Sequence, residues 1–200
     1  MRVIPKGVSE EAVNETTTII PVPDDSCDGK FPFSANRHGS SKQVFVELHP
    51  LQYYLPDDKS LEIQMMKVDT EGNEKRVLAS ALPFFASGKI KNAIVEVTPG
   101  HGFWSKAGIT PEEMSTTLQT IIDDYKYAMI PRVARGNAGF GADMLSSHID
   151  GAQNRSKILG EDRLIFINGK KATEYMLSKS SPTQFDIWLM PAQDLYKITK

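Results

Sequence analysis

Cysteine is almost missing from this chain. Cys27 stands alone among 200 residues, so neither an internal disulfide nor a cysteine-built zinc cluster can form. Long apolar runs are missing too: none approaches the ~18 residues that a membrane helix needs, which excludes a helical span. Met1-Arg2-Val3-Ile4-Pro5-Lys6 is not followed by the apolar stretch of a signal peptide; the compartment is not readable from the sequence, with the cytoplasm only the default. An excess of one charge is also lacking. Lys+Arg number 23 against 25 Asp+Glu, a net charge of -2. Such a balance leaves no electrostatic footprint for nucleic acid or for an acidic membrane.

Several catalytic signatures are absent as well. There is no Gly-x-Ser-x-Gly elbow and no His-Glu-x-x-His helix. Asp24-Asp25-Ser26-Cys27-Asp28-Gly29 starts like a calcium loop, but its twelfth position is Ala35 and no helices flank it. No other metal site is expected. Arg135 to Gly141 is rich in glycine without the strand, helix and lysine of a phosphate-binding loop. It reads as a loop that could act as a lid if it lies near a site. Asn14-Glu15-Thr16 and Asn154-Arg155-Ser156 match the glycosylation pattern, and both read as ordinary surface loops.

What is present is an ordinary globular composition, 40% hydrophobic and 24% charged. The length suits one domain, 1–200, with a real core. Residues 1–60 read as short extended pieces and loops, with strands expected over Thr17–Val22 and Val44–Leu48. The regular part starts at Leu61. Ile63–Val68 is short and mostly apolar, as in a strand covered on both faces. Val77, Leu78, Ala81, Leu82 and Phe85 fall on one face of a helix, which Pro83 should end or kink. Ala93–Val97 is a second buried strand, so strand, helix and strand span the length of one βαβ crossover.

A second helix is expected from Pro111, with Thr110 as N-cap, Glu112 and Glu113 favourable to the dipole, and Met114, Leu118, Ile121 and Ile122 as its stripe. Tyr125–Ile130 then suggests a strand, 132–162 a long polar loop, Leu164–Ile167 a strand, Lys171–Leu177 a helix and Phe185–Met190 a last strand. Alternating strands and helices predict an α/β fold with a mainly parallel sheet.

The chemistry is expected at Lys67-Val68-Asp69-Thr70-Glu71-Gly72-Asn73-Glu74, where a buried strand gives way to a helix. Ligands of open α/β sheets bind at the carboxyl ends of strands. Asp69 and Glu71 there could accept a proton, hold a substrate hydroxyl or bind a hard metal. Glu74 needs no more than the helix dipole to explain it. Glu96 lies near the end of the next strand, where an unpaired carboxylate is costly, so it reaches the same crevice or meets a cation. His101, in Thr98-Pro99-Gly100-His101-Gly102, reads first as a polar loop residue.

Met65-Met66-Lys67-Val68-Asp69-Thr70-Glu71-Gly72-Asn73-Glu74, then Val77-Leu78, then Ile94-Val95-Glu96-Val97, resembles the FkbM family of S-adenosylmethionine-dependent methyltransferases. Members carry a Lys-Ile-Asp-x-Glu-Gly-x-Glu signature after a buried strand, then a helix and a strand ending in Val-Glu. The match is tight over 61–97 and looser elsewhere. Lys6 to Glu10 resembles the end of the family's third strand, the pieces near Ile19 and Val44 its inserted β segments, and Phe185–Met190 its last strand.

The resemblance implies a partial Rossmann-like class I fold, with 1–60 as third strand and inserted pieces and 61–200 running from the signature strand to the last. It implies that the strand and Asp-x-Gly loop that open the family domain lie outside this sequence. It implies S-adenosylmethionine as cofactor, near Val8, Ser9 and Asp69, and direct methyl transfer to a hydroxyl of a small-molecule or glycan acceptor. Asp69 and Glu71 take the catalytic roles, with Glu71, Glu96 and His101 on the acceptor side. Two other readings stay open: a degenerate methyltransferase-like binding domain without its glycine loop, and a different α/β enzyme with Asp69, Glu71 and Glu96 around a metal.

Overall fold

The computed structural model describes residues 7–9, 20–22, 42–44, 48–55, 58, 60–70, 72–99, 102–132, 154–158, 161–177 and 185–198. The N-terminal third holds two small β pairs. Strands β1 (Gly7–Val8) and β4 (Leu48–His49) pair in parallel, and β2 (Ile20–Val22) pairs antiparallel with β3 (Lys42–Val44). A single turn, α1 (Leu51–Tyr54), follows β4. Of the strand expected over Thr17–Val22, Ile20–Val22 is β2; of that expected over Val44–Leu48, Val44 ends β3 and Leu48 opens β4, while 17–19 and 45–47 lie outside the described residues.

The main sheet is built from β5 (Met66–Val68), β6 (Ala93–Val97), β7 (Tyr127–Arg132) and β10 (Phe185–Pro191), in the order β5-β6-β10-β7. Strands β5 and β6 are adjacent and parallel, joined by helix α2 (Glu74–Ala86), as the sequence predicts. The strand expected from Ile63 is regular only from Met66. Ile63 itself makes an isolated bridge to Ile90: its N–H donates to Lys89 O at 2.8 Å, and its carbonyl accepts from Lys91 N at 2.8 Å.

The sheet is mixed, not mainly parallel. β10 runs antiparallel to both β6 and β7. Buried apolar strands look alike in either direction, so composition could not reveal this. The alternation in β10 was the available hint: Phe185, Ile187 and Leu189 are buried while Asp186 and Trp188 are half-buried. Such alternation is typical of antiparallel strands.

Helix α2 does not end at Pro83. It continues to Ala86 with the proline ring on its exposed side. The last turn places Phe84 and Phe85 in the core. Burying two aromatic side chains outweighs the single hydrogen bond that proline removes. Helix α4 (Pro111–Gln119) follows a short α3 (Phe103–Lys106) and runs into a π-type turn at Thr120–Asp124. Tyr125 N–H closes that turn on Thr120 O, so the next strand starts at Tyr127, two residues later than expected.

Residues 132–162, expected as one long loop, include one strand and the start of another. Strands β8 (Asn154–Ile158) and β9 (Glu161–Ile165) form an antiparallel pair. The sequence Asn-Arg-Ser-Lys-Ile has no apolar alternation to betray β8. Residues 133–153, with the glycine-rich segment, lie outside those described. Helix α5 (Gly169–Leu177) is fixed at its start by Asn168, whose side chain accepts from Lys171 N, and by Asp123, whose carboxylate accepts from Gly169 N at 2.8 Å. A 3₁₀ turn, Ala192–Lys197, follows β10.

One face of the sheet carries the core. Val68, Val95, Val97, Ile187 and Leu189 meet Leu78, Ala81 and Phe85 of α2, Met114 and Leu118 of α4, Ile121 and Ile122 of the π turn, and Ala172 and Met176 of α5. A smaller cluster, Ala128, Ile130, Ile165 and Met190, is separate from it, with Trp188 and the C-terminal Leu195 and Ile198 packed against it. No helix among the described residues is long and apolar enough to cross a membrane.

Candidate active site

Because β5 and β6 are parallel, their carboxyl ends lie side by side, and the chain leaves both ends through short loops. Asp69 is the first residue past β5. Its carboxylate accepts a hydrogen bond from Lys67 Nζ, with 37% of the Asp69 side chain and 58% of the Lys67 side chain exposed. Lys67 and Asp69 alternate with buried Val68, which puts both on the side away from the core.

Glu96 shares that side. The β6 strand alternates, with Ala93, Val95 and Val97 buried and Ile94 and Glu96 half-buried. The register sets Asp186 of β10 opposite Glu96. Lys67 lies within the field of all three carboxylates. Its ammonium is held above the usual lysine range, first by the hydrogen bond to Asp69, against the opposing effect of burial, and further by the charges of Asp69, Asp186 and Glu96. Asp69 and Glu96 are thus brought to one surface through a cation that the sequence reading had not assigned.

The largest departure is Glu74. The dipole explanation implies an exposed first-turn residue, but Glu74 is 1% exposed. Its carboxylate accepts from Thr70 N (3.1 Å), Thr70 Oγ1 (3.1 Å), Gly72 N (2.9 and 3.1 Å to the two oxygens) and Trp104 Nε1 (3.1 Å). The turn that allows this is made by Gly72, at φ +112°. A Cβ there would sit 2.6 Å from the Phe103 carbonyl oxygen, so no other residue fits without displacing α3. The local Gly-x-Glu spacing carried a hint of the turn; nothing local pointed to Trp104, 30 residues away.

Val8 ends β1, which touches helix α2, and Ser9 follows it. Ser9 is buried, and its N–H donates to His49 O at 3.1 Å beside the β1–β4 pair. His49 stacks on Tyr53 at 3.9 Å between ring centroids and meets Tyr54 edge-on; Tyr54 OH donates to Gly7 O at 2.9 Å. Among the described residues no hydrogen bond joins this aromatic group to Asp69. Glu71 and His101 lie outside the described residues. Thr98, just past β6, is 2% exposed, and its hydroxyl has no hydrogen-bond partner among the described residues. No described group of three or more His, Cys, Asp and Glu side chains could hold a metal ion.

The carboxylates at the carboxyl ends of β5 and β6 stand where open α/β sheets, as a class, bind their ligands. The particular class follows from comparison with known families. The family model for the methyltransferase FkbM domain matches residues 9–129, and the chain belongs to that family. Methyl transfer is the chemistry that this membership indicates. No curated protein and no solved structure matches the chain.

Proposed function

We propose that the protein transfers a methyl group from S-adenosylmethionine to a hydroxyl of a small-molecule or glycan acceptor at the carboxyl ends of β5 and β6. The observation that carries the reading is Asp69, a half-exposed carboxylate at the end of a parallel strand in a chain of the FkbM family. The donor set fits a positively charged cofactor, because Asp69, Glu96 and Asp186 all act on one site and already favour the cation on Lys67. When bound, the cofactor supplies an electrophilic methyl group.

The chain's own residues have two tasks in this reading. Asp69 orients the acceptor hydroxyl, and its Oδ atoms take the hydroxyl proton as the oxygen becomes nucleophilic. Glu96 and Asp186 keep the local field negative, while Lys67 holds the Asp69 carboxylate in place until the acceptor replaces it. Glu71 and His101 complete the acceptor side, and Val8 and Ser9 the nucleoside side. In this reading residues 1–200 form one domain, which the place of β10 between β6 and β7 in one sheet supports. The order β5-β6-β10-β7, with β10 antiparallel to its neighbours and β5 parallel to β6, supports a Rossmann-like arrangement.

The test is turnover of labelled S-adenosylmethionine by the protein and by Asp69→Asn, compared at matched folded fraction. The variant keeps the shape and removes the charge, and methyl transfer is expected to fall by roughly 10²-fold or more, the scale of a positioned acid–base group. Equal turnover in the two would remove Asp69 from the chemistry.

A further inference from the structure

We propose that Glu74 is a positioning residue of this site, a buried clasp that holds the loop after β5 and the helix after β6 in a single relative arrangement. The proposal rests on the reading of Asp69 given above. A carboxylate offers about four lone-pair directions, and those of Glu74 are taken by donors from Thr70, Gly72 and Trp104. Its charge is stabilised by dipoles: two backbone N–H groups, a hydroxyl, an indole N–H and the start of α2. Among the described residues no ion pair to Lys or Arg contributes.

The donors come from two separate segments of the chain. Thr70 and Gly72 belong to the loop that carries Asp69, and their N–H groups turn inward to Glu74. Trp104 belongs to α3, which follows the loop after β6, and it is 3% exposed. Gly72 packs against the backbone of Phe103, next to Trp104, so the two loops also touch directly. The peptide that joins Asp69 to Thr70 is thereby fixed from one side by Glu74, while the Asp69 side chain projects to the other side toward Lys67. Loss of the clasp frees the direction of Asp69 without removing any group that touches the acceptor.

The experiment uses Glu74→Gln and Trp104→Phe in the full chain, with amide hydrogen exchange and steady-state kinetics as readouts. Gln is isosteric but places an NH₂ group where the carboxylate accepts. In Glu74→Gln the Thr70 and Gly72 amides are expected to exchange roughly tenfold faster, while the amides of β6 and α4 change by less than about twofold. The kcat is expected to fall roughly tenfold with the KM for S-adenosylmethionine changed by less than about threefold. Trp104→Phe removes one donor of the set and is expected to shift the same loop amides and kcat in the same direction by less.

Faster exchange spread evenly over β6 and α4 would make Glu74 a plain structural residue and overturn the proposal. So would faster exchange confined to the loop with kcat unchanged in a protein that Asp69→Asn inactivates. If Glu74→Gln does not fold, Trp104→Phe decides by the same criteria. A parent without turnover, or an Asp69→Asn variant as active as the parent, counts against the methyl-transfer reading instead; the exchange pattern then decides the clasp by itself.

Discussion

Helices α2 and α4 both pack into the same core, and both carry glutamate in the first turn. At α4 the Thr110 hydroxyl accepts from Glu113 N at 3.2 Å, and the Glu113 carboxylate accepts from Thr110 N at 2.7 Å. That capping box is exposed and wholly local. At α2 the residue before the helix, Asn73, makes no side-chain cap bond, and Glu74 reaches back into the preceding loop and across to Trp104. Two starts that look alike in sequence therefore do different work. What separates them is a long-range partner: α3 arrives against Gly72, shuts out water and turns a surface carboxylate into a buried one.

The sharpest way to break the comparison is at Gly72. Alanine there meets both a left-handed φ of +112° and a backbone oxygen at 2.6 Å, and backbone cannot move aside as a side-chain end can. Gly72→Ala is expected to cost roughly 3 kcal/mol or more, in the range of the most disruptive single substitutions. Gly88 is the control: its φ is +66°, but a Cβ there would meet nothing within 4 Å. Gly88→Ala is expected to cost only about 1 kcal/mol of backbone strain. Denaturant unfolding of the two variants measures the difference. Equal losses would mean that the approach of Phe103 contributes nothing.

The crossover β5-α2-β6 was legible because its signals are local and repeated: two short apolar strands, a helical stripe and a carboxylate motif between them. The direction of β10 was not legible, since hydrogen-bond direction leaves little trace in composition. β8 was invisible because polar residues occupy it. At the candidate site, the place of Asp69 at a strand end could be read from the strand alone. Lys67 was hidden by its position on an apolar strand, where it reads as one polar interruption. Glu74 was misjudged because burial of its carboxylate depends on Trp104, and no local spacing reports a contact between two loops.

A milder test acts on the other helix start. Thr110→Ala is expected to cost about 1 kcal/mol, the usual value of an N-cap hydroxyl. The Glu113 carboxyl is held below its ordinary value, chiefly by the N–H of Thr110. A carboxyl depressed in the folded state stabilises above its unfolded value near 4.5 and loses that contribution as pH falls through the folded value. The acid limb of stability below that pH should therefore be shallower in Thr110→Ala if the cap geometry collapses with the hydroxyl. Thermal unfolding from about pH 3 to about pH 6 reads this directly. An unchanged limb would show that Glu113 keeps its partner without Thr110.

The smallest expected effect has the opposite sign, and it concerns the two threonines at the neighbouring strand ends. Thr70 follows β5 by two residues, and its hydroxyl donates to Glu74 at 3.1 Å. Thr98 follows β6 directly and is nearly inaccessible, and its hydroxyl finds no partner among the described residues. A hydroxyl taken out of water without a hydrogen bond is a cost carried by the folded state. Valine keeps the branched shape and removes that cost, so Thr98→Val is expected to stabilise by roughly 0.5 kcal/mol. Thr70→Val deletes a donor from a buried carboxylate and is expected to destabilise by about 1 kcal/mol. Chemical denaturation of both variants under one set of conditions is sufficient, because the prediction is a difference in sign. If Thr98→Val destabilises as much as Thr70→Val, the Thr98 hydroxyl is satisfied in solution. It would then belong with the polar groups that hold the two loops together, and the clasp at Glu74 would extend to the end of β6.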